Sequence, residues 1–149
     1  QPRSRGLGDV YKRQIYNEKN IKNYMVVTFD LNNLKMCNDN YGHSSGDAYI
    51  IHSAHIIETT FDRFGKCYRI GGDEFCCLIP DAAEFQIERF IQKMQQDIAI
   101  LNNKNIIPTE VGIACGYALA TPDDADIEKV RERADEMMYH NKKVLKGLI

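Results

Sequence analysis

The sequence predicts an α/β chain of the α+β sandwich type: a mixed, largely antiparallel central sheet surrounded by helices. Three observations carry this. Short β-branched and aromatic runs alternate with helix-period stripes, in the order strand, helix, helix, strand, strand, helix, strand, helix. A Gly-Gly pair at Gly71-Gly72 separates two of the strand-like runs, which suits a tight antiparallel connection. The length, 149 residues, is close to the commonest size of one domain, so a single core is expected.

Each element has a local reason. YMVVTF (24–29), ending at Asp30, reads as a buried strand. Residues 33–40 suit a short helix closed by Tyr41-Gly42. From Ser44 to Arg63, apolar residues at 50, 51, 54, 57 and 61 make a helical stripe that Gly65 stops. KCYRI (66–70) and EFCCLI (74–79) read as two strands, the second ended by Pro80. Ile87, Phe90, Ile91, Met94, Ile98 and Leu101 mark a long amphipathic helix, with Phe85, Phe90 and Met94 as core. VGIACGYALA (111–120) reads as a strand of small residues. Pro122, Asp123 and Asp124 open a last helix to about Leu145, with Ile127, Val130, Ala134, Met137 and Met138 inward.

Composition removes several function classes. With 44% hydrophobic and 27% charged residues, the chain has the make-up of a folded domain and not of a disordered one. A net charge of −2 argues against a bulk nucleic-acid binder, though not against a local anion site. No apolar run is long enough to cross a bilayer, so no membrane contact by this domain is expected. Five cysteines, an odd count without a Cys-x-x-Cys pair, suggest a reducing, cytoplasmic setting. A first residue of Gln and an aperiodic, basic start lead us to expect a fragment. Residues 1–23 are expected to be disordered or artefactual, and 24–149 to be the domain.

The residues that carry chemistry cluster in four places. RIGGDEF (69–75) sets two glycines before Asp73 and Glu74. Alone, Gly-Gly favours a plain hairpin, since glycine accepts positive φ. Two adjacent carboxylates beside bare backbone also suit Mg²⁺ and a closely approaching polyphosphate. Asp30, at the end of the first strand, suits a helix N-cap, as do Asn32 and Asn33. It equally suits a third carboxylate brought beside Asp73 by sheet pairing. The helix that follows would aim free N–H groups at phosphate, with Lys35 near its start. Asn38 and Asp47 suit ordinary helix-end roles, Asp47 as a first-turn acid complementing the helix dipole. Lys129 and Arg133, four apart, share a helix face; they suit a solvated surface with Glu132 and Glu136, or an anion held between them. His52 and His55 lack a third soft ligand and read as structural. Cys76 and Cys77 point to opposite faces of a strand and cannot clasp one metal.

These strings resemble a known family. DLNNLKMCNDNYGHSSGD (30–47), RIGGDEF downstream and KVRERADEMMY (129–139) resemble the GGDEF domain of diguanylate cyclases over roughly residues 24–146. The Asn-Asp-x-x-Gly-His-x-x-Gly-Asp string at 38–47, in proper order and spacing, makes the match strong. The resemblance implies a sheet ringed by helices, related to the palm of nucleotidyl cyclases and polymerases. It implies that two GTP molecules are joined into cyclic di-GMP with release of pyrophosphate. Asp30, Asp73 and Glu74 match the metal-binding acids, with the Leu31 carbonyl as a backbone ligand; two Mg²⁺ ions, or Mn²⁺, are the implied cofactors. Asp73 also matches the proposed general base, so Asp73 and Glu74 are the implied catalytic pair. Asn38 and Asp47 match the guanine readers, and a carboxylate facing the N1–H and N2–H₂ donors rejects adenine. Lys129 and Arg133 match the triphosphate-gripping pair. Gly71, Gly72 and His43 also fall at matched positions.

The implied partners are GTP, a second copy of the chain, and a covalently linked N-terminal sensor. No nucleic acid is expected, and the parent protein could be tethered to a membrane. A catalytically silent GGDEF domain, binding GTP to regulate an attached module, is the rival reading. Three departures from the family pattern stand out. The Asp-x-Leu-Thr-Gly-Leu-x-Asn-Arg opening is missing, with Gly6 to Arg13 in its place. Asn32 stands where many relatives have Asp. Finally, the Arg-x-x-Asp of the product-inhibition site is replaced by Asp62-Arg63-Phe64-Gly65. Arg63 comes one residue late, about 100° around a helix, so no strong product inhibition is expected.

Overall fold

The computed structural model describes residues 23–124 and 126–147. The segment expected over 1–23 thus lies, except for Asn23, outside the described residues, as does the stretch from Gly6 to Arg13. Four strands and four helices follow one another in the expected order. They are β1 (Met25–Leu31), α1 (Leu34–Tyr41), α2 (His43–Phe61), β2 (Lys66–Arg69), β3 (Glu74–Ile79), α3 (Ile87–Asn103), β4 (Ile113–Leu119) and α4 (Ile127–Leu145).

The sheet order is β2-β3-β1-β4. Each of the three pairings is antiparallel, so the described residues carry no parallel pair to make the sheet mixed. β1 lies between β3 and β4 and is buried along its whole length. Its alternation divides the core. Met25, Val27, Phe29 and Leu31 join Phe75, Cys77 and Ile79 of β3 and the apolar faces of α1, α2 and α3. Val26 joins Cys76, Leu78 and Ala118 under Ile127, Val130 and Ala134 of α4. A fully buried Phe or Leu contributes about 1.5–3 kcal/mol, so the larger layer dominates stability. Cys76 and Cys77 do part to opposite faces.

α4 approaches the sheet closely because Gly116 of β4 has no side chain. A Cβ there would meet the Ala134 carbonyl oxygen at 2.2 Å and the Met138 nitrogen at 2.3 Å. The Asn141 side chain adds a tether by accepting from the Cys115 N–H at 3.0 Å.

Several boundaries differ from expectation, for physical reasons. β1 runs on through Asp30 and Leu31, because β3 and β4 still pair with it there. α4 begins at Ile127, not at Pro122. Asp126 is its N-cap and accepts from the Lys129 N–H, while Asp124 bonds back to Thr121. Met137 is on the exposed side of α4, and Met138 takes the buried place. On α2 the expected stripe holds at Ala54, Ile57 and Phe61, with Ile50 partly buried against the core; Ile51 is exposed instead, and Tyr49, Ser53 and Ile56 widen the inward face. α2 also ends at Phe61, with Arg63 in the turn beyond. There its guanidinium lies 4.7 Å from the Phe64 ring centroid, beside the Phe64–Phe85–Phe90 cluster. The expected helical rotation of Arg63 therefore does not apply; the arginine is stacked on aromatics instead.

Candidate active site

The site forms where the end of β1 meets the β2–β3 connection. Register places Asp30 directly across from Glu74, and the Leu31 N–H donates to the Asp73 carbonyl at 2.8 Å. Asp30, Asp73 and Glu74 then each offer an oxygen, all within 4.8 Å of one another. Asp30 is therefore a strand residue and not an N-cap. The cap of α1 is Asn33, which makes no side-chain capping bond.

The electrostatics follow from this crowding. Burial raises the Asp30 carboxyl pKa; its bond to Lys142 opposes the shift and repulsion from Asp73 adds to it. The Glu74 carboxyl is raised by burial, then by Asp30 and Asp73. The Lys142 ammonium, on α4, donates to Asp30 Oδ2 at 3.0 Å. The other oxygen, Oδ1, is buried without a hydrogen-bond partner. A convergent set of hard carboxylate oxygens with one orphaned lone-pair atom fits a divalent cation such as Mg²⁺ or Mn²⁺.

The glycines at the turn are not there for backbone conformation. The β2–β3 hairpin forms as expected, but neither Gly71 nor Gly72 has positive φ, so that reason for the glycines does not apply. A Cβ on Gly72 would meet nothing within 4 Å. The turn is held instead by Arg69, which donates to the Gly71 and Gly72 carbonyls at 3.1 and 2.9 Å.

The remaining residues lie around this centre. Half-buried Asn38 of α1 packs against Gly46 of α2, where a Cβ would fall 1.6 Å from Asn38 Oδ1. Only glycine lets the two helices place the Asn38 amide there, next in sequence to exposed Asp47. Asp47 is the fifth residue of α2, so the first-turn dipole reading does not hold. Lys35 and His43 are exposed near the starts of α1 and α2.

Lys129 and Arg133 each have an acidic partner within the chain. Lys129 pairs with Glu132 at 3.7 Å. Arg133 binds both oxygens of Asp124, not Glu136, and donates to the Leu119 carbonyl. That guanidinium holds the Asp124 carboxyl down, to a pKa of about 2. His52 and His55 line a cavity of about 240 Å³ with Asp97, but they are not among the groups close enough to share a metal.

The sequence matches the family described as "Diguanylate cyclase, GGDEF domain" over residues 5–146. This chain belongs to the GGDEF family. Among similar proteins, an uncharacterized membrane protein of Staphylococcus saprophyticus is 30% identical over 90% of this chain and 40% of its own length. The diguanylate cyclase DgcN of Escherichia coli is 31% identical over 81% of this chain and 30% of its own. The GGDEF domain thus spans less than half of these relatives. Among solved structures, the coiled coil and GGDEF domain of DgcB from Caulobacter crescentus, in complex with c-di-GMP, has a TM-score of 0.77. It is 22% identical, and the match covers 91% of this chain and 73% of that one. The GGDEF domain of FimX from Pseudomonas aeruginosa has a TM-score of 0.74 at 15% identity, covering 91% and 85%. The palm-like sheet of the family is therefore the fold of this domain.

Three contributors to the site escaped the sequence reading. Lys142 continues the buried α4 series Ala134, Met138, where an apolar residue would be regular; a lysine there signals a buried acid as partner. Tyr49 gave a comparable signal, as a large polar side chain on the inward face of α2. Burial pushes its hydroxyl pKa up to about 12, so it stays protonated. Arg69 carried no signal beyond its place before Gly-Gly.

Proposed function

We propose that this GGDEF domain is an active diguanylate cyclase that condenses two GTP molecules into cyclic di-GMP and releases two pyrophosphates. The observation that carries the reading is the convergence of Asp30, Asp73 and Glu74. Those three carboxylates, with the Leu31 carbonyl, would hold Mg²⁺, two ions being expected and Mn²⁺ also suiting the donor set. Divalent ions held there would neutralise triphosphate charge and make the 3′-hydroxyl easier to deprotonate. In each half-reaction a 3′-oxygen bonds to the α-phosphorus of the other nucleotide, and the bond to the leaving pyrophosphate breaks. Asp73 accepts the hydroxyl proton.

The rest of the chain binds and orients. Asn38 and Asp47 read the guanine edge, with His43 beside them. The N–H groups at the start of α1 and the Lys35 ammonium face the phosphates. Gly71 and Gly72 keep the turn bare, and the fold itself gives no reason for them. Lys129 and Arg133 bind the triphosphate once Asp124 yields its place on the guanidinium.

One domain binds one GTP, so a C₂ pair of domains must face each other. The coiled coil in the DgcB structure is in keeping with such pairing. An N-terminal sensor, a cytoplasmic site of action and a membrane-tethered parent complete the proposal. The last draws on the name of the staphylococcal relative. Among the described residues, no helix is long and apolar enough to cross a membrane.

The Arg133–Asp124 pair favours a second reading, in which the domain binds GTP without turning it over. Incubating the purified chain with GTP and Mg²⁺ decides between them. Cyclic di-GMP with two equivalents of pyrophosphate is the expected result, and bound but unreacted GTP supports the rival.

A further inference from the structure

Asn32 and Gly112 face each other one step beyond Leu31 and Ile113, the last paired residues of β1 and β4. In an antiparallel ladder a pair on such a rung exchanges two N–H···O bonds. Here one bond is direct, from the Asn32 N–H to the Gly112 carbonyl at 2.8 Å. The other is interrupted by a side chain from α2. The Gly112 N–H donates to the Tyr49 hydroxyl oxygen at 3.0 Å. That hydroxyl donates to the Asn32 carbonyl at 2.6 Å, with the Gly112 carbonyl at 3.1 Å as its alternative acceptor. Three groups thus close a ring: Asn32 to Gly112, Gly112 to Tyr49, Tyr49 to Asn32. Tyr49 is 0% exposed, so solvent cannot replace it.

The ring has a geometric result at the next carbonyl. The Leu31–Asn32 peptide is planar and trans, so its C=O points opposite to its N–H. The Asn32 N–H is held toward β4. The Leu31 carbonyl is thereby aimed the other way, to the side where the Leu31 N–H meets the Asp73 carbonyl.

We propose that Tyr49 is a positioning residue: its hydroxyl, spliced into the terminal β1–β4 rung, holds Gly112 and the Asn32 carbonyl in place, and through that rung the Leu31–Asn32 peptide, so that the Leu31 carbonyl serves the cation site. The same hydroxyl ties the Asn32 carbonyl, one peptide further along, to α2, which carries Asp47 two residues earlier. Cation site and guanine-reading helix are so joined by one side chain. The inference rests on the cation reading given above.

The test measures Mn²⁺ binding alone, by electron paramagnetic resonance, and amide hydrogen exchange, both on the 149-residue chain. Tyr49→Phe removes the hydroxyl at nearly constant volume. Thr60→Val is the control, since Thr60 is a similarly buried hydroxyl of α2 that bonds within its own helix, to the Ile56 carbonyl. Asp30→Asn tests the cation reading itself. Tyr49→Phe should weaken Mn²⁺ binding about tenfold or more, as loss of a supporting group does at metal sites. It should speed exchange at the Asn32 and Gly112 amides and leave α3 unchanged, with Thr60→Val like wild type. Wild-type Mn²⁺ affinity in Tyr49→Phe, loosening spread evenly over the core, or failure of the variant to fold would each overturn the proposal. Mn²⁺ binding that survives Asp30→Asn would overturn the cation reading instead.

Discussion

Asp30, Glu74 and Asp73 stand close enough that their charges oppose one another, and burial makes the first two still harder to ionise. In the metal-free protein, groups with raised pKa bind protons better folded than unfolded. Their contribution is fully present below the ordinary carboxylate range and is lost as pH rises through their folded values. Asp124 has the opposite sign: its pKa of about 2 gives stability that is present above the ordinary range and lost as pH falls toward 2. Adding Mg²⁺ should therefore raise Tm more at neutral pH than at mildly acidic pH. A Mg²⁺ shift independent of pH would count against the carboxylate site. Asp73→Asn should abolish turnover while Tm stays close to wild type, because Asp73 is half-exposed at a turn. Near-normal activity in that variant would remove Asp73 from the site. The acids were legible in sequence because each sits in a short local string. Lys142 was missed although its place in the α4 stripe was a signal, since its partner Asp30 lies 112 residues away and the local pattern does not name it. Arg69 and Tyr49 were missed for a related reason: both act on backbone carbonyls, so even the signal of Tyr49 on an inward face did not name its partners.

Among the elements, the β4–α4 contact governs how far Lys142 can reach. Gly116→Ala would place a Cβ against the backbone of Ala134 and Met138, so the helix itself must move. A destabilisation of about 1–3 kcal/mol is expected by analogy with overpacked cores. Denaturant unfolding measures it, and Mg²⁺ affinity should fall with it as the Lys142–Asp30 contact loosens. A variant as stable as wild type would mean that α4 has room to spare. Every strand and helix was legible from periodicity, because apolar runs here are short and well punctuated. The errors fell at ends and phases. α4 was started too early because acids after Pro122 look like caps, whereas Asp124 is claimed by Arg133 and Thr121. The α2 stripe was right at Ala54, Ile57 and Phe61 but missed Tyr49 and Ser53, which are polar by composition and yet buried, and included Ile51, which is exposed. The Gly-Gly turn looked conformational, yet neither glycine has positive φ.

For the whole molecule, the proposed activity, a product made from two nucleotides by domains that would each bind one, implies a concentration dependence. Specific activity should climb with protein concentration, and a fused dimeric zipper should raise it. Activity per molecule that stays constant on dilution to nanomolar protein would show that a monomer suffices. Product control should be weak, since Arg63 is stacked over Phe64 and Asp62 beside it would repel phosphate. Initial rates measured with added cyclic di-GMP should change little; strong inhibition lost in Arg63→Ala would reverse that expectation. The 112-residue span from Asp30 to Lys142 has a consequence for synthesis in the cell. The first strand of the sheet leaves the ribosome long before the helix that steadies its carboxylate, so a nascent chain lacks the finished centre until the last turns of α4 emerge. A protease cut in the loop ahead of α4 would return the domain to that immature condition.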